Sequence, residues 1–318
     1  MAACPHPNTR ATRLFRARDY VSGEEFEVSR CERCGIARTL PEPAADRMAV
    51  YYPAAYYGAA SARRFPLAVE SLQRALYGAR ARGVERLAGR PGRVLDVGCG
   101  RGFLLDAFRR RGWQVQGTEL DDRSATHARD VLAIPVHVGP AEGWPWPEGH
   151  FDAVVFWHVL EHLVEPHDAI ERARRLLRPG GVLMVGVPNF ASPEARLARA
   201  GWFHLDVPRH VVHLTPRWLS EAVGAAGFDV RRRSFLTPEY DAFSLVQSAE
   251  NRLGLRHNLL YDVLRGRTAK LLGGAAPLQV ASALALAVPL GIVAAPATVL
   301  LGLCGLGSSV TLLAVRRA

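Results

Sequence analysis

Two groups of residues in this 318-residue chain are of types and spacings that could do chemistry. The first is the run Val94-Leu95-Asp96-Val97-Gly98-Cys99-Gly100-Arg101-Gly102, an apolar strand pattern that ends in an acid and three alternating glycines. Glycine has no Cβ, so backbone N–H groups there can approach a bound molecule closely. A helix-like run from Phe103 to Phe108 follows, and a helix start turned to the same place favours a carboxylate-bearing, nucleotide-like cofactor. The second group is histidine. His158 and His162 lie in Trp157-His158-Val159-Leu160-Glu161-His162, and three more lie in His204-Leu205-Asp206-Val207-Pro208-Arg209-His210-Val211-Val212-His213. A histidine beside an acid suits a general base near neutral pH. His210, supported by Asp206 or Arg209, is the first choice. A hydrogen-bonded loop shaping an acceptor pocket is the alternative.

Spacing narrows the cofactor. Nicotinamide and flavin fingerprints read G-x-G-x-x-G, the third glycine letting helix and strand pack closely. Here Phe103 follows Gly102, the pattern is G-x-G-x-G, and a nicotinamide oxidoreductase is disfavoured. The next strand-like run, Trp113 to Glu119, ends in an acid at about the 20-residue interval expected of a ribose-binding carboxylate. Strands and helices then alternate to about residue 235, which signals a parallel α/β sheet.

At these residues the chain resembles the class I S-adenosylmethionine-dependent methyltransferases. The resemblance extends over residues 90 to 240 through Gly149 to Val155, His158 to His162, Leu177-Arg178-Pro179-Gly180-Gly181 and the strand Val182 to Val187. It implies a Rossmann-like seven-stranded sheet and S-adenosylmethionine as methyl donor. Asp96, Gly98, Gly100 and Arg101 would then surround the donor, with Asp96 facing its amino group and Glu119 on the ribose hydroxyls. The family's G-D-A-E-like adenine segment reads Gly139-Pro140-Ala141-Glu142 here, which leaves the Ala141 backbone and Glu142 as the contacts. His158 to His162 further resembles the ubiquinone-biosynthesis O-methyltransferases, where an E-x-x-E-H run binds a divalent metal. Here His158 replaces the first Glu, either as a ligand or as a lining of the cofactor's methionine end, and Glu161-His162 would otherwise cap the next helix. His158 and His162 join His210 as catalytic candidates.

The N-terminus carries Cys31-Glu32-Arg33-Cys34-Gly35, a C-x-x-C-G knuckle able to offer two thiolates to zinc. Only Cys4-Pro5-His6 can complete the ligand set, as Cys4 and His6. The arrangement resembles the zinc ribbon that precedes some methyltransferase domains, and Pro41-Glu42-Pro43 and the tyrosine-rich run Tyr51 to Tyr57 match its linker. Pro7 stands where a second cysteine is usual, so a vestigial ribbon is the alternative. Residues 1–40 are thus expected as a zinc-ribbon-like module, 41–90 as a linker with amphipathic helix, and 91–240 as the donor-binding core.

The net charge of +10 comes almost wholly from arginine, Lys270 being the only lysine. No basic run with interleaved aromatics appears, so nucleic acid is not an expected partner. Five cysteines without a secretory leader argue for a reducing cytoplasm. From Leu271 to Val315 the chain has no Asp, Glu, Lys, Arg or His. Because both flanks are basic, two short crossings, a re-entrant hairpin or an in-plane anchor are expected at a membrane's cytoplasmic face, through residues 271–307. A buried hairpin at a soluble dimer interface is the alternative. Ser308 to Val315 reads as a strand antiparallel to Gly227-Phe228-Asp229-Val230, making residues 241–307 a helical insertion before a final core strand at 308–318. The combined expectation is O-methylation of a lipid-like, quinone or secondary-metabolite acceptor at a membrane surface. The competing readings are a cofactor-binding scaffold without turnover and a soluble C- or N-methyltransferase.

Overall fold

The computed structural model describes residues 11–44, 47–52, 67–265 and 277–318. Its centre is a seven-stranded sheet of β4 (Arg93–Val97), β5 (Gln114–Glu119), β6 (Val136–Val138), β7 (Phe151–Trp157), β8 (Leu177–Pro188), β10 (Phe228–Ser234) and β11 (Ser309–Arg316). The order across the sheet is β10-β11-β8-β7-β4-β5-β6. The five strands β4 to β8 are mutually parallel, and β11 runs antiparallel to both its neighbours. Strands covered on both faces need continuous apolar runs. The two central strands meet that need: Ala153, Val154, Val155 and Phe156 of β7 and Leu183, Met184 and Val185 of β8 are all buried.

Helices cover both faces. α1 (Leu67–Ala88) precedes β4, and the crossovers use α2 (Phe103–Arg109), α3 (Asp122–Thr126) and α4 (Pro166–Leu176). After β8 come α5 (Pro193–Ala198) and α6 (Pro216–Ala225), whose N-caps Ser192 and Thr215 accept from the backbone amides of Ala195 and Trp218. Each cap satisfies a donor that the first turn leaves open.

The N-terminal strands β1 (Ala11–Arg18), β2 (Glu25–Cys31) and β3 (Ala37–Leu40) form an antiparallel sheet. The free edge of β3 is paired by the two-residue strand β9 (Val212–His213), at the end of the second histidine segment. The N-terminal sheet is therefore continuous with that loop. Cys31 and Ile36 pack into the main hydrophobic core, with Cys34 against it. Cys4 and His6 lie outside the described residues.

Between β10 and β11 the chain inserts α7 (Pro238–Arg252), α8 (Leu259–Leu264) and α9 (Pro277–Leu303). Pro289 and Pro296 suggest a break between two short crossings, but both prolines sit inside one 27-residue helix. Each removes a single amide donor, and the Ala, Leu, Val and Ile residues that dominate the segment carry the helix through. A helix of that length extends about 40 Å. Ala294 packs with Val246 and Leu260, beside Phe243, Leu245, Ala287 and Leu290, so one stripe of α9 lies on α7 and α8. Its opposite face is apolar and open: Leu278, Val288, Ile292, Val293, Leu300 and Leu303 are each more than 60% exposed.

Candidate active site

A cavity of about 600 Å³ opens where the parallel strands end, the place where open α/β sheets bind ligands. One wall is the glycine loop. Gly98 and Gly100 have φ of +67° and +52°, a region costly for residues with a Cβ. A Cβ on Gly98 would sit 2.6 Å from Val159, whereas one on Gly100 would meet nothing closer than Glu119 at 4.0 Å, so the space above Gly100 is open. The Gly100 amide donates to Glu119 Oε1 at 2.6 Å, tying the loop to the end of β5. Asp96 is 2% exposed and its Oδ1 has no hydrogen-bond partner. Burial, and then the neighbouring Glu119 charge, push its pKa well above the usual carboxylate range. Burial also raises Glu119, against the pull of the Gly100 amide. A buried acid with an orphaned oxygen and a half-buried one beside it fit a cationic, hydroxyl-bearing cofactor that would satisfy both. Arg101 lines the same wall.

Of the two adenine-side residues, Ala141 can be placed. Ala141 begins a 3-10 turn after β6 and its carbonyl accepts from Arg172 at 3.1 Å. It is not among the residues lining the cavity, and the Glu142 side chain is outside the described atoms.

The opposite wall brings the histidines together across more than forty positions of sequence. His158, Glu161 and His162 follow β7, and His204, Asp206 and His210 follow β8; all six line the cavity. His158 has φ of +54°, strain of the kind found at functional positions. Its Nδ1 lies 3.2 Å from Glu161 Oε1, and its Nε2 is buried without a hydrogen-bond partner. Burial opposes ionisation of Glu161, but the His158 hydrogen bond and the charges of His158, His210 and His162 hold its pKa at about 2. His210 Nδ1 donates to the His204 carbonyl at 2.8 Å and His162 Nδ1 to the Arg209 carbonyl at 2.9 Å. Burial, reinforced by His162, lowers His210 to about 4, so its imidazole is neutral at physiological pH. Ligand atoms of Glu161, His162 and His210 lie within 4.8 Å of one another.

Behind this wall Asp206 and Arg209 join an ion cluster whose third member, Asp19, no motif pointed to. Arg209 is fully buried; its guanidinium donates to Asp19 at 2.8 Å, Asp206 at 2.7 Å and the Tyr51 carbonyl at 3.1 Å. Tyr20 covers it at 4.7 Å and also lines the cavity. Thr39 of β3 donates to the His210 carbonyl at 2.7 Å, and the Val211 amide to the Glu161 carbonyl at 2.9 Å. The N-terminal sheet thus holds the loop that carries His210.

The insertion supplies the roof. Tyr240, Phe243 and Tyr261 face the cavity beside Phe203, with the Phe203 ring 5.2 Å from Phe243 and 5.4 Å from Tyr261. Phe243 also packs against the cluster under α9, so the roof and the apolar helix share a side chain.

A family profile described as a methyltransferase domain matches residues 72–232, half of the chain. A probable S-adenosylmethionine-dependent methyltransferase of Mycolicibacterium smegmatis is 31% identical over 147 residues, covering 46% of this chain and 54% of its own. A ubiquinone biosynthesis O-methyltransferase of Bordetella pertussis is 30% identical over 174 residues, covering 52% and 64%. The chain thus spans less than two thirds of these curated relatives. The structure of a putative sarcosine dimethylglycine methyltransferase from Galdieria sulphuraria shares the fold, with TM-score 0.51 at 14% identity over 80% of this chain and 91% of that one. With the strand order, the glycine loop and the two acids of the donor wall in agreement, the chain belongs to the class I S-adenosylmethionine-dependent methyltransferases.

Proposed function

We propose that the chain methylates a hydroxyl oxygen of an amphiphilic, ring-bearing acceptor drawn from a membrane surface. One observation carries the reading: the unpartnered Nε2 of His158, the donor wall and an apolar aromatic roof meet in a single cavity. Bound on the glycine loop, S-adenosylmethionine supplies an electrophilic methyl group whose departure leaves a neutral thioether. What remains is alignment and removal of one proton. Glu161, ionised and buried, holds the Nδ1–H of His158 and leaves its unpartnered Nε2 as the basic nitrogen. The acceptor hydroxyl gives its proton to that nitrogen as the oxygen takes the methyl. His210 is less suited to this role than its spacing suggested, because burial makes it a weaker base. Phe203, Phe243 and Tyr261 offer ring faces to the acceptor and keep water from it.

The membrane part of the reading rests on α9. It buries one stripe of small residues against α7, and its open face is long and apolar. A helix packed lengthwise on its own domain suits a seat in the plane of a bilayer better than a crossing.

The test is methyl transfer from S-adenosylmethionine with a tritiated methyl group to an organic extract of membranes. Label should enter the organic phase as methyl ether, and His158→Gln should cut the rate roughly 10²- to 10⁴-fold while calorimetric binding of S-adenosylhomocysteine stays unchanged. Tight binding without transfer to any hydroxyl acceptor would make the chain a scaffold. Label on carbon or nitrogen would move it to another acceptor chemistry.

A further inference from the structure

His158 Nδ1 is committed to one oxygen of Glu161, at 3.2 Å, while the other oxygen of that carboxylate is buried without a hydrogen-bond partner. We propose that Glu161, His162 and His210 bind one divalent ion of the zinc class, a centre whose third ligand comes from the loop after β8 instead of from position 158. The proposal does not depend on the identity of the acceptor.

Four features support it. The ligand atoms lie within 4.8 Å of one another, and a tetrahedral ion with bonds of about 2.05 Å holds its ligands about 3.3 Å apart, so rotamer adjustment closes the site. Glu161 Oε2 is buried without a hydrogen-bond partner, an unpaid cost that a cation would remove. His162 and His210 each use Nδ1 to donate to a backbone carbonyl, at 2.9 and 2.8 Å, which fixes the tautomer with Nε2 as the ligand nitrogen. That is the outer-shell pattern of metal-binding histidines. Finally, the Val211 amide bonds the Glu161 carbonyl at 2.9 Å, which locks the His210 loop beside Glu161.

The donor set decides the ion. Two neutral imidazoles and one carboxylate suit zinc and its neighbours, whereas magnesium prefers oxygen ligands. Three protein ligands leave a position open toward the cavity, where an acceptor oxygen could bind. His158 then stands outside the ligand set, oriented by the same carboxylate.

Cobalt(II), a spectroscopic stand-in for zinc, would be titrated into the full chain carrying Cys31→Ser and Cys34→Ser, which removes the thiolates of the N-terminal knuckle. Binding of S-adenosylhomocysteine certifies that each variant is folded and that the donor site is intact. The expected result is one equivalent of cobalt with ligand-field absorption, displaced by zinc but not by an equal concentration of magnesium. His210→Ala, His162→Ala and the near-isosteric Glu161→Gln should each weaken it at least tenfold. His150→Ala, at the opposite end of β7, should leave it unchanged. Folded protein that binds no cobalt, or binding unaltered in both His210→Ala and Glu161→Gln, overturns the proposal. So does displacement by magnesium as readily as by zinc.

Discussion

The two walls of the cavity are built in opposite ways. The donor wall is local: Asp96, Gly98, Gly100 and Glu119 fall within one strand–helix–strand unit, and the Gly100 amide closes it onto Glu119. The acceptor wall is assembled from four distant stretches: the N-terminal sheet, the segment after β7, the loop after β8 and the helical insertion. A local unit can be specified by spacing alone. A composite wall depends on tertiary contacts that no short motif encodes, and its stability and chemistry are therefore entangled.

That contrast can be broken most forcefully at Asp19. Asp19→Ala removes a carboxylate from a fully buried guanidinium, and loss of one member of a buried pair costs about 3–5 kcal/mol. Asp206 remains, which places the expected loss at the lower end, measurable by denaturant unfolding. If the N-terminal sheet were a detachable module, the change would leave core stability untouched. On the donor side, Glu119→Ala removes a charged acceptor worth about 1.5–3 kcal/mol, a roughly 10- to 150-fold weaker affinity for S-adenosylhomocysteine in calorimetry. Thermal stability should change far less than in Asp19→Ala; equal losses would erase the distinction between the walls.

A third expectation concerns pH. Asp96 has a raised pKa in the folded chain, so it holds a proton in the folded state that the unfolded state has released. Its contribution to stability is present below the unfolded value and is lost as pH rises toward the folded one. Each pH unit in that window costs about 1.4 kcal/mol per proton. The melting temperature of the free protein should therefore fall over this range, and Asp96→Asn should flatten the fall. A slope unchanged by Asp96→Asn would place the titrating group elsewhere. The smallest effect is expected on the open face of α9. Ile292→Ser should alter folding by no more than about 0.5 kcal/mol while weakening flotation with anionic vesicles about tenfold, the scale of one buried aliphatic side chain. Unchanged flotation would return α9 to a protein–protein role.

Legibility in the sequence follows the same division. The seven-stranded sheet, the donor loop and the final antiparallel pair could be read because each rests on a strand pattern or on spacing within one unit. The alternation of β4 to β8 and the β-branched run at 308 to 315 are of this kind. The histidines were visible as residues, but not which of them would keep a free nitrogen: that depends on the carbonyls of His204 and Arg209. Asp19 and Tyr20 carried no signal, since an Asp-Tyr pair after a strand reads as a turn. Tyr240, Phe243 and Tyr261 stand in no motif, and only the packing of α7 and α8 brings them to the cavity. The prolines of α9 misled in another way, because proline lowers helix propensity locally while the nineteen Ala, Val, Leu and Ile residues of the same helix decide the outcome.

The position of β11 has a consequence for how the protein is made. It lies between β10 and β8, pairing Val310 with Val187 and Val230 with Ala314, so the sheet is split until it arrives. Translation delivers α9 first. The nascent chain therefore presents a long greasy helix while the gap beside β8 is still unfilled and its edge amides have no partner strand. Early contact of α9 with an apolar surface or a chaperone would shield that intermediate until β11 closes the sheet and the roof is sealed over the cavity.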